Sequence, residues 1–151
     1  MGRLLPQDME SLDNPKILSL LHDAYMSCEE DNDEDIVVVT ESQNTIYIQT
    51  VKKVYMVKLF SFFRLKEGSD RTEILQLVNL LNHQVIFSRF SMPKDDVLLS
   101  EYFLSYKGGL DPYQLINSLR LFEKITWAAL RLIIPKRLYP LDTVCSGKNG
   151  K

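Results

Sequence analysis

The stretch "IVVVTESQNTIYIQTVKKVYMVKLFSFFRL", residues 36–65, decides what kind of fold this chain adopts. Its apolar side chains are mostly β-branched or aromatic. They fall into the runs "IVVVTE", "TIYIQTV" and "VYMVKLFSFFRL", separated by "SQN" and by Lys52–Lys53. Such side chains pack well on a pleated surface, while Ser and Asn favour turns. The pattern predicts a hairpin of two strands and, after a second turn, a long third strand. In that third strand Tyr55, Val57, Leu59, Phe63 and Leu65 alternate with Val54, Met56, Phe60 and Phe62, so both faces are apolar. A sheet wet on one side shows a polar face. Something must cover the second face here, either another part of the chain or a protein.

Upstream, the first twelve residues read as a loose arm. Asn14 before Pro15 gives an N-cap followed by a proline at the first helical position. Ile17, Leu18, Leu21 and Tyr25 follow at helical spacing, which predicts a helix over about 15–27. "CEEDNDEDI" then reads as an acidic loop. Downstream, "KEGSD" breaks the strand pattern, and Asp70 with Glu73 forms a capping box before Ile74, Leu77, Val78 and Leu81. A second helix is expected over about 70–83. Asn79 and Asn82 lie away from its apolar stripe, in structural roles at a helix surface or end. His83 sits in the last turn, where a partly charged imidazole suits the helix dipole.

"VIFSRFSM" and "VLLSEYFLSY", joined by "PKDD", predict a second hairpin. Gly108 and Gly109 permit positive φ, Asp111 caps, and Pro112 opens a long helix lined by Leu115, Leu119, Phe122, Ile125, Ala129 and Leu132. Residues 139–151 read as a flexible tail after Pro140. The predicted order is α-β-β-β-α-β-β-α, an α+β fold with an antiparallel sheet and helices packed on it, over a single domain at 13–138.

The 151 residues contain 45% apolar and 25% charged side chains, an ordinary globular balance able to bury a core. The formal net charge of −2 gives no field that would draw the chain onto nucleic acid or an anionic membrane. Lys52–Lys53, Lys136–Arg137 and Arg120, Lys124 and Arg131 are scattered, and Phe60, Phe62 and Phe63 read as packing rather than as base-stacking groups. No apolar run reaches membrane-spanning length, and the N-terminus lacks the apolar segment of a secretory signal. Cys28 and Cys145 are too far apart to suggest a disulfide framework, which favours the cytoplasm.

Catalytic constellations are not found. There is no nucleophile motif, and His22 and Cys28, six residues apart, do not share a helix face. Zinc would need both cysteines and both histidines without any paired spacing. Asp31, Asp33 and Asp35 alternate as in a calcium loop, but Ile36 occupies the glycine position and Ser42 the place of the bidentate glutamate. The expectation is no catalytic residue, no cofactor and no metal.

The helix "EILQLVNLLNHQ", the hairpin after it and "YKGGLDPYQLINSLRLFE" together resemble the YbjN-type domain of bacterial proteins, over roughly residues 14–134. Asn79 and Asn82 fit that family's helix pattern, and Gly109 with Asp111 its turn. The resemblance implies a fold like the dimeric chaperones of type III secretion, a regulatory role and no active-site residue. The functional expectation is a non-enzymatic protein-binding module, chaperone-like or regulatory. It would be a cytoplasmic homodimer with a protein partner of its own, and without nucleic acid or membrane as partners. Phe60, Phe62, Tyr102 and Tyr106 are the candidate interface residues, some of them on the second sheet face. The alternatives are a small ligand-sensing domain and a toxin-neutralising immunity protein.

Overall fold

The computed structural model describes residues 11–140. The expected arm over 1–12, apart from Ser11 and Leu12, and the expected tail over 139–151, apart from Tyr139 and Pro140, lie outside the described residues, as does Cys145. Leu12 is not loose: it is buried at 2% exposure. Three α-helices occur among the described residues: α1 (Asn14–Asp23), α2 (Arg71–Gln84) and α3 (Pro112–Ile133). Six strands accompany them: β1 (Ser27–Glu30), β2 (Ile36–Val39), β3 (Thr45–Val51), β4 (Met56–Arg64), β5 (Arg89–Lys94) and β6 (Val97–Ser105). The strands form one sheet in the order β1-β2-β3-β4-β6-β5, in which β1 with β2, β2 with β3 and β5 with β6 run antiparallel. The architecture is α+β, as the strand and helix patterns predict.

Three details differ from the sequence reading. The acidic segment is not wholly a loop, because Ser27–Glu30 pairs with Ile36–Val39 as an edge strand. An edge strand paired on one side needs no apolar alternation, so "SCEE" carries no strand signal. The first helix is capped by Asp13 rather than Asn14: Asp13 accepts the Lys16 N–H at 3.0 Å, and the helix stops at Asp23. β5 begins at Arg89 rather than Val85.

Of the described residues, 11–59 with 103–121 form one compact unit and 60–102 with 122–140 the other. In the first, α1 lies against β1, and Ile17, Leu20 and Leu21 are buried, as are Ile36, Val38, Ile46 and Ile48 of the central strands. The side chain of Asp31 closes the β1–β2 turn, accepting the N–H groups of Asp33 at 2.9 Å and Asp35 at 3.0 Å. In the second unit, Ile74, Val78 and Leu81 of α2 pack with Phe90, Leu98, Ala129, Leu130, Ile134 and Leu138. Burying each such side chain contributes at most about 1.5–3 kcal/mol. The short 3-10 turn Lys136–Leu138 is clasped to α2 through Arg137 and Glu73, and Lys66 donates its N–H to the Leu138 carbonyl at 2.7 Å. The hydrogen bonds to Glu73 hold the Arg137 guanidinium above its already high pKa.

The end of α1 contains a strained residue. Tyr25 N–H donates to His22 O at 2.9 Å and Met26 N–H to Leu21 O at 3.0 Å, a Schellman ending. That motif puts Tyr25 at φ 59° with its side chain 98% exposed. A side chain in the left-handed region costs about 1–2 kcal/mol, against about 0.5–1 kcal/mol of extra chain entropy for glycine. Tyr25→Gly is therefore expected to raise stability by about 0.5–1 kcal/mol in urea unfolding, with an unchanged m-value.

Candidate interaction surface

Strand alternation assigns the two faces of the second unit. On β4, Phe63 turns towards α3 and meets Trp127 edge-on, with ring centroids 5.0 Å apart at 71°. On β6, Leu98 joins the helix-side core, and Ser100 Oγ lies 3.4 Å from Thr126 Oγ1 of α3. On β5, Phe90 belongs to that core as well. Neighbours in a strand point the opposite way. Phe60, Phe62 and Arg64 of β4, Leu99 and Glu101 of β6, and Arg89 of β5 therefore share the face turned away from this unit's helices.

The four expected interface residues do not come together. Phe60 and Phe62 do, as an edge-on pair with centroids 5.8 Å apart at 88°; Phe60 is buried and Phe62 half-buried. Tyr102 has the parity of Leu98 and Ser100, and its ring stacks on Phe87 at 4.1 Å and 10°. Tyr106 belongs to the other unit, where it is 3% exposed. Its ring meets Tyr55 at 5.8 Å, and its N–H donates to the Tyr55 carbonyl at 2.8 Å. Burial, and secondarily the Tyr55 phenol, push the Tyr106 phenol above the usual tyrosine range.

Beside the phenylalanine pair lies an ion pair. Arg89 and Glu101 are register partners on β5 and β6, and Arg89 Nη2 donates to Glu101 Oε1 at 2.8 Å. The Glu101 side chain is 8% exposed and that of Arg89 65%, so the contact presents a cation above a buried carboxylate. The face thus carries an aromatic pair with Phe62 half-buried, and Arg64 and Arg89 exposed. Arg and aromatic groups are the side chains that anchor protein contacts. The sequence reading missed this cross-strand pair, although the hairpin register would have given it once the turn was fixed at Asp95–Asp96.

The amides behave differently from each other. Asn79 is exposed. Asn82 Nδ2 donates to the Phe90 carbonyl at 2.8 Å, and Phe90 N–H donates to Asn82 Oδ1 at 2.8 Å. β5 is the last strand of the sheet, so this amide satisfies backbone groups on its outer edge that no strand pairs. The carboxylates of Asp31, Asp33 and Asp35 approach within 4.8 Å of one another. One Asp31 oxygen is already committed to the two backbone donors of the turn, and the cluster is explained by that turn.

Asn82→Ala is expected to lower stability by about 1–2 kcal/mol in urea unfolding, since it strips two backbone groups of their partner. Tyr106 gives a pH-dependent expectation. A phenol whose pKa is raised on folding contributes stability that is fully present below the unfolded value, near 10, and is lost as pH rises through the folded value. Wild type should lose stability above that pH more steeply than Tyr106→Phe, measured by urea unfolding across alkaline buffers.

A family profile described as "Putative bacterial sensory transduction regulator", YbjN, matches residues 16–130. Among solved structures, the chain is similar to YbjN from E. coli, titled a putative transcription regulator, with TM-score 0.61 and 17% identity, covering 78% of this chain and 88% of that one. It is also similar to a chain in the HopA1–SchA chaperone–effector complex, with TM-score 0.55 and 6% identity over 80% of this chain and 99% of that one. A third match is to the Yersinia pestis type III secretion chaperone SycH in complex with a fragment of YscM2, with TM-score 0.52 and 15% identity over 77% and 95%. Comparison with curated proteins gave no significant match. At these identities the solved structures speak for the fold alone, but the profile spans most of the sequence, and the chain belongs to the YbjN family.

Proposed function

We propose that this chain is a non-enzymatic, chaperone-like or regulatory protein-binding module that acts in the cytoplasm as a homodimer. The observation that carries the reading is the face of the second unit turned away from that unit's own helices. There Phe62 is half-buried against Phe60, with Arg64 and Arg89 exposed on the same face. Aromatic and arginine anchors around a partly open apolar centre suit a protein contact better than a small-molecule site, which calls for a concave pocket with convergent polar groups. The family profile supports a regulatory role, and two of the structural neighbours are titled as chaperones or chaperone complexes with bound proteins. Among the described residues no helix is long and apolar enough to cross a membrane.

The test is affinity capture from the native host, with identification of the bound protein and its reconstitution with purified chain. Phe62→Asp is expected to weaken the purified complex at least about tenfold, the usual size of a hot-spot loss. Leu132→Asp, at an 86% exposed position late in α3, should leave it unchanged. Equal affinity for wild type and Phe62→Asp would remove the Phe62 face from the binding surface. Sedimentation at low micromolar concentration tests the dimer separately.

A further inference from the structure

We infer that the end of the sheet carrying the β1–β2 and β3–β4 turns is the surface through which two copies of this chain pair, the acidic turn of each copy resting on the basic turn of the other. The inference names the contact for the dimeric reading above and is independent of Phe62. All of the residues involved lie in the first unit.

The topology brings the two turns together. β1 and β2 are antiparallel with Glu30 opposite Ile36, and β2 and β3 are antiparallel with Ile36 opposite Ile48. The chain that precedes Ile36 and the chain that follows Ile48 therefore leave the ladder at the same end. One turn, 31–35, follows exposed Glu29 and Glu30 and contributes exposed Asp33 and Glu34. The other, Lys52–Tyr55, contributes exposed Lys52 and Lys53. With strands roughly 4.8 Å apart and about 3.3 Å of rise per residue, the two turns lie on the order of 10 Å apart.

The basic turn is built to be presented. Lys52–Val54 form a 3-10 turn that ends on Tyr55 at φ 54°, a strained conformation for a tyrosine. Val54 is 57% and Tyr55 46% exposed. The Tyr55 ring is held from behind by Tyr106, and Lys107 Nζ sits 5.9 Å from its centroid, which adds a third cation. Among the described residues no ion pair engages Lys52, Lys53 or Lys107.

The charge pattern selects the partner. A uniformly anionic surface, nucleic acid or lipid, would meet the lysines but be repelled by the aspartate and glutamates beside them. The fitting partner offers acid opposite the lysines and base opposite the acidic turn, at the same spacing. A second copy turned about a two-fold axis between the turns has that inverse pattern automatically, and each contact occurs twice. Exposed ion pairs contribute little singly, so Val54 and Tyr55 supply the apolar part and the association is salt-sensitive.

Sedimentation of the full chain at low and high salt tests this, with two charge-reversed proteins, Lys52→Glu/Lys53→Glu and Asp33→Lys/Glu34→Lys. Circular dichroism checks that each is folded, and the single changes Lys53→Glu and Glu34→Lys replace either double variant that is not. Wild type is expected to form a dimer whose dissociation constant rises about tenfold or more with salt. Each variant alone should dissociate by a similar factor, and an equimolar mixture of the two should re-form the dimer. A dimer indifferent to salt and to both reversals, or a mixture that stays monomeric, would overturn the inferred contact while leaving the dimer and the Phe62 face standing. A monomeric wild type would overturn the contact and the dimer together. Comparable binding of wild type to RNA or to anionic vesicles, abolished by Lys52→Glu/Lys53→Glu, would overturn it in favour of those partners.

Discussion

Two hydrogen bonds from one side-chain amide decide how the second unit is closed. A sheet that ends in β5 leaves N–H and C=O groups of that strand facing outwards, and unpaired backbone at an edge invites another strand. Asn82 answers both groups of Phe90 at 2.8 Å, as a neighbouring strand would. Because Asn82 belongs to α2, the same contact fixes the helix over the strand. Phe90 is then held where its ring joins Ile74, Val78 and Leu81 in the core. Helix position, edge protection and core packing converge on a single residue.

The doubly apolar β4 is resolved by different means on its two sides. Towards the helices, Phe63 finds Trp127. On the far side no helix of the unit is available, and Phe60 and Phe62 pack on each other instead. Aromatic rings placed edge-on gain beyond simple area burial. The outcome is a face that is partly self-covered, with one ring left half open.

Much of the architecture could be read from residue patterns because it rests on local rules. Runs rich in β-branched and aromatic residues gave β2, β3, β4 and β6, capping residues gave α2 and α3, and the turn residues between them gave the hairpins. What could not be read depended on partners distant in sequence. β1 looks like an acidic loop because its strand character comes from pairing with Val37–Val39, not from its own side chains. Tyr102 and Phe62 are equally aromatic in the sequence. The sheet's packing on α2 and α3 puts Tyr102 on the helix side, stacked on Phe87, and Phe62 on the opposite face. Asn79 and Asn82 look alike too. Both are exposed, but only Asn82 is bonded to Phe90, a distinction set by where the end of α2 meets β5.

A fold that rests on a side-chain amide is exposed to chemical ageing. Asparagine is a thermolabile residue, converting to aspartate when the next backbone nitrogen attacks the side-chain carbonyl. At position 82 that change would replace a donor with a carboxylate directed at the Phe90 carbonyl. Yet the attacking nitrogen would be that of His83, which lies inside α2 with its N–H engaged in the helix ladder. The helix that carries the amide to the sheet edge also holds its nearest nucleophile out of reach, so the chain's long-term integrity depends on the last turn of α2 staying wound.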